Sequence, residues 1–115
     1  MNEWPEWNER VAVITGGASG IGLGMARAFG ARGMKLVLAD LDEALLQEAS
    51  EELRAKGIAI EIKLCDVSKA DEIDALADLA LSKFGQVNVV CSNAGVGLPT
   101  SARNMKLSDW EWILN

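Results

Sequence analysis

The sequence predicts a doubly wound parallel α/β sheet with strand order 3-2-1-4. Three observations lead there. Short apolar runs alternate with stretches of helical periodicity from residue 11 onward, no linker or internal repeat interrupts them, and a glycine-rich turn follows the first run. Repeated βαβ units with short connections place the strands parallel and join them by right-handed crossovers. The pattern reads βαβαβαβ, followed by the start of one more helix.

Strand one is the apolar run at 11–14, and the turn Thr15-Gly16-Gly17-Ala18-Ser19-Gly20-Ile21-Gly22 follows it. Helix one is expected over 20–32, with Ile21, Met25, Ala28 and Phe29 as its apolar stripe and Gly33 at its end. Strand two is 36–39. Helix two begins near Asp42, a good N-cap, turns Leu45, Leu46, Ala49 and Leu53 inward and Glu48, Glu51, Glu52 and Arg54 outward, and ends at Gly57. Strand three, 58–64, alternates: Ile58, Ile60, Ile62 and Leu64 lie on one side, Glu61 and Lys63 on the other. One wetter face places it at a sheet edge.

Helix three is expected to start at Ser68, with Asp71 completing a capping arrangement, and to carry Ile73, Leu76, Ala77, Ala80 and Phe84 at helical spacing before Gly85. Strand four, 87–91, is apolar apart from Asn88, as a strand covered on both faces should be. Ser108-Asp109-Trp110-Glu111 then opens a last helix with a capping box, and Leu107 and Trp112 form its hydrophobic staple. Packing of that helix accounts for Trp110 and Trp112 better than a substrate wall does.

Composition fits one small domain: 115 residues, half of them apolar, and a net charge of −6. No two Lys or Arg residues are adjacent, so nucleic acid and anionic membrane are not expected partners. Residues 1–9 have neither the basic start nor the apolar core of a secretory signal, and no apolar run approaches the ~18 residues of a membrane span. With no histidine, no metal site is expected. Cys65 and Cys91 fall in apolar strand patterns and read as reduced, buried thiols of a cytoplasmic protein.

The glycine turn is where chemistry enters. Glycines let a main chain approach a phosphate, and the N–H groups and dipole at the start of the next helix favour its charge. The spacing Gly-x3-Gly-x-Gly across Gly16, Gly20 and Gly22 is not G-x-G-x-x-G, and without Gly-Lys-Ser/Thr it is no nucleoside-triphosphate loop. An ordinary strand-to-helix turn would carry the same glycines. In doubly wound sheets, however, ligands bind where the strand order reverses, here between strands one and four, and 15–22 and 93–95 flank that point. Asp40, ending strand two, is placed to accept both hydroxyls of an adenosine ribose and to repel a 2′-phosphate. No basic residue at Ala18, Ser19 or Leu41 would compensate, so NAD is expected over NADP. The plainer reading makes Asp40 a turn or cap residue beside Asp42.

Two further elements extend the series: Asp66-Val67 at the end of strand three and Ser92-Asn93-Ala94-Gly95 after strand four. With Thr15-Gly16-x3-Gly20-Ile21-Gly22 and Asp40 they resemble, in order and over essentially the whole chain, the short-chain dehydrogenase/reductase family in its NAD-preferring form. The resemblance implies a Rossmann-like domain. It also implies that Asp66 meets the exocyclic amine of adenine, that Val67 lies against the ring, and that Asn93 braces the sheet and the cofactor-side loop. Ser92 replaces the first Asn of the family's Asn-Asn-Ala-Gly. The implied cofactor set is Gly16, Ser19, Gly20, Ile21, Gly22, Asp40, Leu41, Asp66, Val67, Asn93, Ala94 and Gly95.

The chain contains no tyrosine, whereas the resemblance implies proton transfer by a Tyr paired with a Lys, with a Ser polarising the substrate carbonyl. No catalytic residue is therefore assigned. The resemblance places the Asn of the family's catalytic tetrad about two positions after Asn115. The chain reads as the N-terminal half of an NAD-dependent oxidoreductase for a secondary alcohol or carbonyl compound, inactive alone. A small-molecule substrate and, at full length, a homo-oligomer are the implied partners. The other reading is a non-catalytic nucleotide-binding or regulatory module. In a truncated chain, strand four would present a bare edge open to pairing with another chain.

Overall fold

The computed structural model describes residues 6–94. Strands β1 (Val11–Thr15), β2 (Lys35–Asp40), β3 (Ile60–Leu64) and β4 (Val89–Cys91) form one sheet in the order β3-β2-β1-β4. All three pairings are parallel. Helices α1 (Gly20–Ala31), α2 (Glu43–Ala55) and α3 (Ala70–Phe84) make the crossovers. Gly95, the helix expected from Ser108 and the residues Leu107, Trp110, Trp112 and Asn115 lie outside the described residues, as does Trp4.

Alternation along the strands divides the core in two. Ala12, Ile14, Leu36, Leu38 and Ile60 face α1 and α2, where Ala26, Leu46, Ala49 and Leu53 close over them. Val11, Val13, Val37 and Ala39 face the other way, under Leu76 and Ala80 of α3. Covered on both sides, β1 and β2 are buried almost throughout.

α1 corrects the expected stripe. Its buried residues are Gly22, Ala26 and Gly30, with Met25 and Phe29 partly buried, whereas Ala28 is exposed and Ile21 is 76% exposed. Size decides this face rather than hydrophobicity. A Cβ on Gly30 would come within 2.5 Å of Ile58 Cδ1, so only a small residue lets the helix lie this close. Beside it, Arg27 grips Glu52 of α2 through two hydrogen bonds of 2.8 and 2.7 Å.

α2 starts as expected, with the Asp42 carboxylate accepting Leu45 N–H at 3.1 Å. α3 does not. Lys69 takes the N-cap position without a side-chain cap, and Ser68 instead donates its hydroxyl and its N–H to Asp66 Oδ1. Ser68 thus lies one residue before the N-cap, with its hydroxyl turned to Asp66. Ile73 and Ala77 are exposed, while Leu79 joins Leu76, Ala80 and Phe84 against the sheet.

Both outer strands are shorter than expected. β3 begins at Ile60 and leaves Leu64 exposed; Arg54 Nη2 donates to the Ile60 carbonyl at 3.2 Å, and Glu61 lies between Arg54 and Lys83. Charges placed along an edge in this way discourage pairing with other chains. β4 begins at Val89 because Asn88 turns its Oδ1 to Val11 N–H (2.8 Å), its own N–H bonding the Val11 carbonyl. Among the described residues, β4 is not covered on both faces. Val89 and Cys91 meet the α1/α2 side, but Val90, beside Val13 on the α3 side, is 62% exposed.

Cys65 is buried and Cys91 only half-buried. They lie at opposite margins of the sheet, with β2 and β1 between them, a span of roughly 14 Å at about 4.8 Å per strand. A disulfide cannot bridge that. Burial raises both thiol pKa values, with Glu72 adding to the rise at Cys65, so both stay protonated at neutral pH. No helix among the described residues is long and apolar enough to cross a membrane.

Ser50 of α2 is fully buried and its hydroxyl has no hydrogen-bond partner. Such a group costs about 1–3 kcal/mol, and alanine is the better helix former. Ser50→Ala is expected to raise the urea midpoint by the equivalent of ~1 kcal/mol. Leu53→Ala, at a fully buried site, is expected to lower stability by about 2–5 kcal/mol. A lower midpoint for Ser50→Ala would show that the hydroxyl is bonded in solution.

Candidate functional site

The strand ends meet at the turn between β1 and α1. Gly16 there has φ +64°, a conformation that favours glycine, and a Cβ on it would come within 3.0 Å of Ala94 Cα and Asn93 Nδ2. Gly22, in the first turn of α1, lies so near the Gly16 carbonyl and the Asn93 side chain that a Cβ would collide with both. Helix and turn are thus in direct backbone contact.

Two strands clamp this turn from either side. From β2, the Ala39 carbonyl accepts Gly17 N–H at 3.1 Å and Asp40 Oδ2 accepts Ala18 N–H at 3.1 Å. From beyond β4, Asn93 Nδ2 donates to the Gly16 carbonyl at 3.2 Å. Thr15 closes the arrangement: its hydroxyl lies 3.3 Å from the Cys91 carbonyl, to which it donates, and accepts the N–H groups of Asn93 (3.0 Å) and Ala94 (3.1 Å). Thr15 and Asn88 are absent from the residues expected from sequence. A hydroxyl on the last residue of β1, across from the polar segment after β4, was the available signal.

The clamped turn delivers a helix end of unusual character. α2 has its Asp42 cap with Glu43 in the first turn, and α3 has Asp71 and Glu72. α1 has no acidic residue in its first turn, and Ser19 at its N-cap makes no side-chain capping bond. Its intrahelical bonding begins with Leu23 N–H to the Ser19 carbonyl, and the space over Gly20 is open. The amides of Gly20, Ile21 and Gly22 and the positive end of the helix dipole therefore suit an anion.

Asp40 lies beside that end, its Oδ1 accepting Leu41 N–H (2.7 Å) and Asp42 N–H (3.3 Å). Leu41, next in the chain, and Ile21, in the first turn of α1, have mostly exposed side chains. Beyond β3, Asp66 is oriented by its own network. Ser68 occupies Oδ1 through its hydroxyl (2.6 Å) and N–H (3.0 Å), while Asp66 N–H donates to Glu72 Oε1 at 2.9 Å. The Ser68 bonds hold the Asp66 carboxyl below its ordinary pKa, so it is an anion and an acceptor at neutral pH. Val67 is half-buried against the α3 side of the core.

Of the expected residues, Gly16, Gly22, Asn93 and Ala94 come together with Thr15, and Asp40 is tied to the same turn. Asp66 and Val67 stand one strand further out, just past Leu64, the ladder partner of Asp40. The amide donors, with the Asp40 and Asp66 carboxylates beside them, fit a dinucleotide.

The family model described as short chain dehydrogenase matches residues 10–115. A CLA biosynthesis dehydrogenase/reductase of Lactiplantibacillus plantarum is 34% identical over 96% of this chain and 38% of its own length. A short chain dehydrogenase/reductase from Burkholderia phymatum, solved in complex with NAD, superposes with a TM-score of 0.89 at 42% identity, over 96% of this chain and 39% of that one. A 3-ketoacyl-(acyl-carrier-protein) reductase from Brucella melitensis, complexed with NADH, gives 0.85 at 37% identity, over 94% and 44%. The chain spans about two fifths of the length of these relatives.

Thr15→Val keeps the side chain's shape and removes its three hydrogen bonds, leaving the Asn93 and Ala94 amides without this partner. It is expected to cost about 1–3 kcal/mol in urea unfolding, whereas Thr15→Ser, which keeps the hydroxyl, should cost less. Equal stability of the two variants would remove Thr15 from the brace.

Proposed function

The chain belongs to the short chain dehydrogenase family, and from that premise we propose that it is the NAD-binding part of an oxidoreductase acting on a secondary alcohol or carbonyl compound. The observation that carries this reading is the uncapped start of α1 held beside Asp40 by the clamped glycine turn. Bound NAD supplies the hydride acceptor. The amides of Gly20, Ile21 and Gly22 would neutralise the pyrophosphate, Asp40 would accept from the adenosine ribose, and Asp66 with Val67 would hold adenine. Asn93 and Ala94 would shape the inner side of the pocket. NAD is favoured over NADP because Asp40 and Asp42 would face a 2′-phosphate, and Ala18, Ser19 and Leu41 offer no cation. The relatives solved with NAD and NADH support the same choice.

The chain has no tyrosine to move the substrate proton, so we assign it cofactor binding without turnover. We place the protein in the cytoplasm, where Cys65 and Cys91 stay reduced, and expect a homo-oligomer for the longer protein.

Calorimetric titration is expected to show NADH binding at least about tenfold more tightly than NADPH, a difference of ~1.4 kcal/mol. Asp40→Ala should narrow that ratio, and the chain alone should not reduce NAD with secondary alcohols. Binding of neither dinucleotide would overturn the reading; equal affinity for both would overturn the preference for NAD.

A further inference from the structure

Asp40 does more than a ribose contact requires. Its Oδ1 accepts the neighbouring N–H groups of Leu41 and Asp42, local bonds that fix the carboxylate's orientation. Its Oδ2 accepts the N–H of Ala18, across a sequence separation of 22 residues. That donor lies inside the glycine turn, immediately before Ser19 at the N-cap of α1. A carboxylate offers about four lone-pair positions, and three are committed to backbone amides. Among the described residues, only Asp40 and the Ala39 carbonyl, which takes Gly17 N–H, bond the turn from the β2 side. Of these, the Asp40 bond is charge-assisted and the stronger.

We propose that Asp40 is a positioning residue for the phosphate seat: through Ala18 N–H it latches the glycine turn to the end of β2 and sets where the amides at the start of α1 stand. The consequence for cofactors rests on the NAD reading above. If Asp40 only read the ribose, removing its charge would free NADPH from repulsion and raise its affinity. If Asp40 also latches the turn, its loss loosens the seat that both dinucleotides share. NADPH then gains nothing.

Two variants and two readouts separate these cases. Asp40→Ala removes the carboxylate; Asp40→Asn keeps its size and one acceptor oxygen, which the two N–H groups of Leu41 and Asp42 hold at the Oδ1 place, so the amide nitrogen faces Ala18 and cannot accept from it. Hydrogen exchange, followed by NMR without added nucleotide, is expected to speed up about tenfold or more at Ala18 in both variants. Exchange at the interior β2 amides of Val37 and Leu38 should stay at wild-type rates, reporting an intact sheet. NADPH affinity is expected to stay within about twofold of wild type or to fall, while NADH affinity falls. Unchanged protection at Ala18, or NADPH affinity rising about tenfold in either variant, would overturn the latch. If the wild-type chain binds neither dinucleotide, the NAD reading falls, and exchange at Ala18 still decides the latch. Should Asp40→Ala fail to fold, Asp40→Asn carries both measurements.

Discussion

The contact between Gly22 and the Gly16 carbonyl is the constraint around which the rest is arranged. It brings the first turn of α1 against the end of β1 at backbone distance, which no side chain at Gly22 would allow. From that approach follow the direction of α1 across the sheet, the run of small residues Gly22, Ala26 and Gly30 beneath it, and the opening of its N-terminus at the strand ends. A helix held off by larger residues would point its dipole elsewhere.

Backbone contacts this close need their polar groups satisfied. Asn93 and Thr15 do this from the β4 side, and Asp40 and the Ala39 carbonyl from the β2 side. The same residues therefore serve stability and recognition. Asp66 follows the same logic further out, where Ser68 in the loop and Glu72 in the first turn of α3 fix its orientation, although both partners are local in sequence. The site is stiff near the reversal of strand order, where four elements converge, and rests on short-range bonds near β3.

The outer strands show how a small sheet ends. β3 carries charges along its margin, with Arg54 on the Ile60 carbonyl and Glu61 between two cations. β4 has no comparable guard among the described residues, and Val90 faces solvent on the α3 side. Asn88 is not a flaw in an apolar strand. Its amide side chain bonds the start of β1 and aligns the two strands before their ladder begins.

Strand order, parallel pairing, the position of the reversal and the acid at the end of β2 were all determined by the sequence alone. Short connections between alternating patterns leave few topologies, and each of these features follows from local spacing. Four things belonged to the tertiary structure: the buried face of α1, the cap of α3, the Thr15 hub and the attachment of Asp40 to Ala18. Periodicity ranks residues by hydrophobicity and so favoured Ile21 and Ala28, but close approach is set by size, which selected Gly22 against the turn and Gly30 against Ile58. Ser68 was a sound cap by spacing, but the helix begins one residue later and its hydroxyl is turned to Asp66. Thr15 and Asp40 meet partners distant in sequence, Asn93 beyond β4 and Ala18 in the glycine turn, and only folding brings those within hydrogen-bonding reach.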